Sequence, residues 1–305
     1  MSSRLKHIVI FEGPDICGKT TSIENFKDFL KDRKKYEVYA PRFPNYNEYR
    51  GKEIRAHLDN FNFYDQFKKE RPFSILADLD ENSINMMLNK LDVISNHLIK
   101  EIKERDSHIV LIDRFVMSQY VYDHCWIGVF KAAFDFEKCY KEEYIEKFKE
   151  RLAEFEEEIY DRARIVWRYF VHKICETFGE DVKITHIIFE RSNYIKDIFN
   201  KQVSNGLRNY DAYDKMKLYQ NLISEQFANL SNAENQRLWS VISCSNIRHV
   251  NFDSIRAKVE NENKNFNNLT EYGIQNCVTE EMNCALADLI CEEVARPKFE
   301  VEGEE

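Results

Sequence analysis

The stretch Ile8–Ser22, IVIFEGPDICGKTTS, decides the fold. Ile8 to Phe11 is a short branched and aromatic run that ends at glycine, as a buried strand does. Gly13 and Gly18 then stand five apart, directly before Lys19, Thr20 and Thr21, in a chain that has only eight glycines in 305 residues. Gly13 to Thr20 satisfies G-x-x-x-x-G-K-[ST], the phosphate loop. Such a loop wraps a phosphate with its backbone N–H groups turned inward, and glycine allows the close approach and the φ values that a side chain forbids. Lys19 can then reach the β and γ oxygens and the Thr20 hydroxyl can ligate Mg²⁺. From Thr21 to Lys31, Ile23, Phe26, Phe29 and Leu30 recur at helical spacing, so the loop lies between a strand and a helix whose dipole favours an anion. This reading makes Gly13, Cys17, Gly18, Lys19, Thr20 and Thr21 the nucleotide-binding residues and ATP with Mg²⁺ the expected cofactors.

Strands and helices alternate outward from this unit. Tyr36–Ala40, His108–Asp113, Ile184–Phe189 and His249–Phe252 read as further strands. Asn82 to Arg105 traces a long amphipathic helix through Ile84, Met87, Leu88, Leu91, Ile94, Leu98, Ile99 and Ile102, and Ile54 to Leu58 starts a shorter one. Phe134 to Phe178 is a charge-rich helical region with Tyr144, Phe148, Leu152, Phe155 and Ile159 on its buried stripe. A last helix, Thr279 to Val294, covers the sheet. The pattern predicts a three-layer α/β/α domain with a parallel sheet.

Composition narrows the class. The net charge of −9 advertises no basic surface for duplex nucleic acid, and the eight cysteines form no C-x-x-C pair. A polar lead runs straight into the first strand and no long apolar run follows, so neither a signal peptide nor a membrane span is expected. The expected protein is soluble and cytoplasmic and acts on small-molecule nucleotides.

Three further segments point to a reaction. Phe11 to Thr21 resembles the opening F-E-G-x-D-x-x-G-K-T/S-T of the thymidylate kinase family of nucleoside monophosphate kinases, at every fixed position. The resemblance implies that Asp15 contacts the sugar 3′-hydroxyl of the acceptor nucleotide. Arg42-Phe43-Pro44, followed by Gly51 and Ile54, is similar to the family's R-F-P stretch, although Tyr46 stands where relatives carry a phosphate-binding arginine. Asp113-Arg114-Phe115, with Ser118 and Tyr122, resembles the family's D-R-Y/F/H-x-x-S-x-x-A-Y/F. There Arg114 would bridge the acceptor and transferred phosphoryl groups through its planar fork, and Asp113 would sit near Mg²⁺.

Phe189 to Phe227 is similar in order to the lid of these kinases, with Lys201 and Arg208 as its cations. Ile16 occupies the loop position where some members carry a catalytic arginine, so the lid would supply that charge. For the base pocket, Phe73 is the stacking candidate, and Asn89 and Lys90 are the polar ones. The acceptor implied is dTMP, dUMP or a modified deoxyuridylate. Within a single domain of 1–305, the resemblance makes 126–181 a helical insertion and 192–215 the lid, and it implies a homodimer; the acidic composition of 297–305 marks a tail expected to be disordered. Two rivals remain open. Glu190-Arg191-Ser192 is similar to the E-R-S of deoxynucleoside kinases, which phosphorylate a 5′-hydroxyl, and a non-catalytic nucleotide-binding protein would use the insertion as an interaction surface.

Overall fold

The computed structural model describes residues 4–14, 17–43, 52, 72–133, 142–190, 222–227, 246–263 and 271–291. Among the described residues five strands form one parallel sheet: β1 (His7–Glu12), β2 (Val38–Tyr39), β3 (Ile109–Asp113), β4 (Lys183–Glu190) and β5 (Asn246–Asn251), in the order β2-β3-β1-β4-β5. The helices are α1 (Lys19–Lys34), α2 (Pro72–Val93), a π-helical turn (Ile94–Leu98) leading into α3 (Ile99–Arg105), α4 (Val116–Ala133), α5 (Glu142–Phe178), α6 (Phe252–Asn263) and α7 (Glu271–Cys291). The reading of a strand-helix alternation with a buried parallel sheet is therefore the observed architecture.

Alternation within the strands builds the two outer layers. Ile8 and Ile10, Val110 and Ile112, and Ile184 and Ile188 join one core with residues of α2, α4 and α5. Val9 and Phe11, Ile109 and Leu111, and Ile187 and Phe189 point the other way, into a second core with α1 and α7. Central strands buried on both faces need apolar residues at every position, which explains the unbroken IVIF and IVLI runs.

Some boundaries differ from the sequence reading. α2 begins at Pro72, ten residues before the expected start, because Ile75, Leu76 and Leu79 already bury against the layer. Val116–Ala133 is a full helix that the periodicity did not reveal, since Val116, Met117, Val121, Cys125, Trp126, Ile127, Val129 and Phe130 are all buried and leave little amphipathic contrast. α5 keeps its stripe far beyond Ile159, through Ala163, Val166, Trp167, Phe170 and Ile174. The described parts of 126–181, in α4 and α5, thus contribute side chains to the core. Across the α2–α5 seam, Arg151 donates to Asp80 at 2.8 Å, and Arg162 pairs with Asp80 and with Glu158. The segment Ile54–Leu58, the lid at 192–215 and the tail at 297–305 lie outside the described residues. No described helix is long and apolar enough to cross a membrane.

One buried group sets an acid limit on the fold. His186, in the middle of β4, is fully buried beside the Trp167 ring at 5.0 Å, and among the described residues neither ring nitrogen has a hydrogen-bond partner. Burial lowers its pKa to about 3. As pH falls below the unfolded value of about 6.5, the unfolded chain takes up a proton that the folded chain refuses, so stability declines toward the folded value. His186→Leu is expected to melt at an equal or higher temperature at neutral pH and to lose less of it on acidification. Thermal melts of both proteins across the acid range check this, and an unchanged acid slope in the variant would contradict it.

Candidate active site

The phosphate loop leaves β1 at the carboxyl edge of the sheet, where open α/β folds bind ligands. Gly13 has φ +147°, and a Cβ there would meet the Phe189 carbonyl oxygen at 2.8 Å, Phe189 Cβ at 3.0 Å and Cys17 Sγ at 3.2 Å. Gly18 has φ +88° and forms the N-cap of α1 without a side-chain cap, and among the described residues nothing lies within 4 Å of where its Cβ would stand. The first turn of α1 holds no acidic residue, so its amides and dipole present an electropositive end to that open space. Gly13→Ala is expected to cost about 3 kcal/mol of stability, against about 1 kcal/mol for Gly18→Ala, because only the first adds a backbone clash to the strained φ. Chemical denaturation of the two variants checks the ranking, and equal losses would contradict it.

Lys19 is almost fully buried, and its ammonium donates to the carbonyls of Gly13 at 2.9 Å and Pro14 at 2.6 Å, with Cys17 Sγ 3.4 Å away. The cation is therefore held inside the loop. Thr20 donates its hydroxyl to Asp113 Oδ2 at 2.6 Å. Parallel pairing of β3 with β1 makes this possible, because it sets Phe11 beside Asp113. Asp113 Oδ1 is buried and has no hydrogen-bond partner among the described residues. A hydroxyl and a carboxylate with one unused oxygen, side by side, fit a hard divalent cation such as Mg²⁺, which takes one or two protein oxygens and completes its shell with phosphates and water. Among the described residues no group of three His, Cys, Asp or Glu could hold a metal by itself.

Arg114 follows Asp113 in the left-handed region, with φ +66°. For a residue with a side chain this costs about 1 kcal/mol or more, and such strain concentrates at functional sites. The surroundings hold the conformation: Arg114 N–H donates to the Phe11 carbonyl at 2.9 Å, and its Nη1 donates to Tyr122 Oη at 3.0 Å and to the Gly13 carbonyl at 3.4 Å. The guanidinium also lies over the Tyr122 ring, 5.5 Å from its centre. Arg42 forms an isolated parallel bridge with Asp113, which brings it to the same edge, and its side chain reaches Glu24 at 3.5 Å. Lys19, Thr20, Asp113, Arg114 and Tyr122 thus converge on one edge, with the Arg42 backbone beside them.

Other candidates have different surroundings. Phe43 is buried against Phe115 at 4.8 Å, inside the core. Ser118 gives both its amide and its hydroxyl to Glu12. Phe73 and Lys90 do not share a base pocket. They are seventeen residues apart on the one helix α2, about 25 Å along its axis. Phe73 packs edge-on against Tyr144 and Phe148 and lines a cavity of about 320 Å³ with Leu76, Asp80, Glu81, Ile84 and Arg151. Lys90 is buried and donates to the Phe115 carbonyl at 3.2 Å. Thr20 and Thr21 are exposed on the first turn of α1. Asp15, Lys201 and Arg208 fall outside the described residues.

Glu12 is the residue to which the sequence reading assigned no role. It is fully buried, and its carboxylate accepts from Met117 N at 3.0 Å, Ser118 N at 3.1 Å and the Ser118 hydroxyl. An acidic residue as the last member of an apolar strand was the available signal. Glu190, the E-R-S acid, lies at the end of β4 and pairs with His249 of β5 at 2.6 Å.

Fold and site together define an α/β protein with a parallel sheet and a phosphate loop at its carboxyl edge. No protein-family model matches the chain, and no curated protein matches it in sequence. Among solved structures it is similar to the thymidylate kinase of Candida albicans, reported for the origin of its broad substrate specificity and for a novel structural element. That likeness has 14% identity and a TM-score of 0.42, and covers 89% of this chain and 97% of the other.

Proposed function

We propose that this protein transfers the γ-phosphoryl group of Mg·ATP to a pyrimidine deoxynucleoside monophosphate, dTMP or dUMP or a modified deoxyuridylate, giving the diphosphate. The observation that carries the reading is the Thr20–Asp113 contact, with its unused carboxylate oxygen, set beside Arg114 in its left-handed turn.

Phosphoryl transfer asks little covalent chemistry of a protein: it needs alignment and positive charge around the transferring group. Loop amides and the α1 N-terminus bind the donor phosphates, and Lys19 exchanges its loop carbonyls for their oxygens. Thr20 and Asp113 are the residues that would hold Mg²⁺, which would supply positive charge against the donor phosphates. Arg114, fixed by Tyr122 and the Gly13 carbonyl, is assigned to the gap between donor and acceptor, where its fork could pair with both. The acceptor is a phosphate oxygen, already ionised at neutral pH, so no strong general base is required. The absence of that need separates this reaction from phosphorylation of a 5′-hydroxyl, and the engagement of Glu190 by His249 supports the same side. Asp15 is assigned to the sugar, Lys201 and Arg208 to a closing lid, and the assembly to a homodimer, on the resemblance of their segments.

A coupled ADP-release assay with Mg·ATP and a panel of dTMP, dUMP, dCMP, dGMP and thymidine tests the proposal. Turnover with dTMP or dUMP is the expected result. Turnover with thymidine alone would move the protein to the nucleoside kinases, and none with any acceptor would leave a nucleotide-binding protein.

A further inference from the structure

Two buried ionisable groups hold the residues that directly follow Arg114. Glu12, the last residue of β1, takes the amides of Met117 and Ser118 and the Ser118 hydroxyl, so it caps the first turn of α4. Lys90, from the last turn of α2, donates to the carbonyl of Phe115. The left-handed Arg114 stands immediately before the residues so held, Phe115, Met117 and Ser118. Both groups are at most a few per cent exposed. A buried lysine and a buried glutamate are seldom kept without a task, because a well-packed apolar pair is commonly as stable.

We infer that Glu12 and Lys90 form a charged clamp that holds the Arg114 turn in its left-handed geometry, and that both are positioning residues for phosphoryl transfer. The inference rests on the phosphoryl-transfer reading above for its consequence, while the holding of the turn stands on the contacts alone. Neither residue touches the reacting atoms: Glu12 acts through α4, and Lys90 acts through the Phe115 carbonyl.

The charged groups facing Lys90 are Glu12 of β1, Asp123 of α4 and Arg114 of the turn. The first two attract it and the third repels it, and burial outweighs the attractions, lowering its pKa to about 8. Asp123 is itself held by Ser83 and Gln119, at 2.8 Å each, and burial raises its pKa as it does that of Glu12. Lys90 therefore loses its charge as pH rises through about 8, and the clamp loosens on the alkaline side.

The test compares wild type with Lys90→Met, Lys90→Arg and the double variant Glu12→Gln/Lys90→Met. Removing one member leaves the other charge buried and unpaired, so Lys90→Met is expected to melt lower, and the double variant to recover much of the loss. Arginine stays charged at every working pH. Hydrogen exchange followed by mass spectrometry at fixed pH should show the amides of residues 114–118 exchanging about tenfold faster in Lys90→Met and in the double variant, with β1 and β4 unchanged. With dTMP or dUMP, kcat of the double variant should fall by about tenfold or more while the affinity for ATP holds. Wild-type kcat should decline above about pH 8, and Lys90→Arg should keep its neutral-pH kcat and lose that decline. Unchanged exchange at 114–118 in the double variant, wild-type kcat in it, or an alkaline decline that survives in Lys90→Arg would each overturn the clamp. If the wild type turns over no monophosphate, the phosphoryl-transfer reading fails by itself, and the exchange result still decides whether Glu12 and Lys90 hold the turn.

Discussion

Lys19→Ala is expected to lower kcat with Mg·ATP and the acceptor monophosphate by about a thousandfold or more while the chain stays folded. The ammonium is buried within the loop and bound to the Gly13 and Pro14 carbonyls, so it stands where donor phosphate oxygens would replace those carbonyls as partners. In a site shielded from water, a cation aimed at charge that develops in the transition state acts far more strongly than it would in solution. Its loss from the fold costs less, because both carbonyls belong to a loop at the edge of the sheet. The sheet core of Val9, Ile10, Leu111 and Ile187 does not involve it. Melting temperature, ATP affinity and turnover of the variant check the prediction, and a kcat within tenfold of wild type would refute it.

Asp113→Asn is expected to lower kcat by at least about a hundredfold and to raise the Mg²⁺ concentration needed for half-maximal rate. The amide oxygen of asparagine can still accept from the Thr20 hydroxyl, so the contact at 2.6 Å has a neutral substitute and the fold is spared. The negative charge and the second carboxylate oxygen have none. That oxygen, buried and lacking a partner among the described residues, is the one left for a cation. Turnover measured against Mg²⁺ for both proteins separates the roles. A variant with lower kcat at saturating Mg²⁺ and an unchanged Mg²⁺ requirement would show that Asp113 orders the turn and does not serve the cation.

Much of the fold is legible in the sequence because its central strands are buried on both faces. IVIF and IVLI have few other ways to satisfy so much apolar surface, and the glycines after β1 allow little but a phosphate loop. Asp113 and Arg114 were visible through the resemblance of D-R-F to a family motif and through their place at the end of a buried strand, where a ligand binds. Val116–Ala133 stayed hidden because it is buried on most sides, so the contrast that reveals an amphipathic helix is missing.

The base pocket failed for a different reason. The expected helix began at Asn82 and left Phe73 outside it, whereas α2 begins at Pro72 and carries both Phe73 and Lys90. Seventeen positions at about 1.5 Å each exceed the span of a nucleoside. The burial of Lys90 had no signal at all, since lysine is almost always exposed and its contact with Phe115 joins elements twenty-five residues apart. Glu12 left a faint trace as a carboxylate ending a core strand, and its meaning emerged only when α4 was placed against it.

The most direct measurement of the central claim is label transfer. ATP carrying ¹⁸O on its γ-phosphoryl group is incubated with Mg²⁺, the protein and dTMP or dUMP, and the products are resolved by mass spectrometry. The labelled oxygens are expected in the β-phosphoryl group of the pyrimidine deoxynucleoside diphosphate, with Lys19→Ala giving none. Label found only in inorganic phosphate, or left in ATP with both acceptors, would contradict the assignment of Lys19, Thr20, Asp113 and Arg114 to phosphoryl transfer between nucleotides.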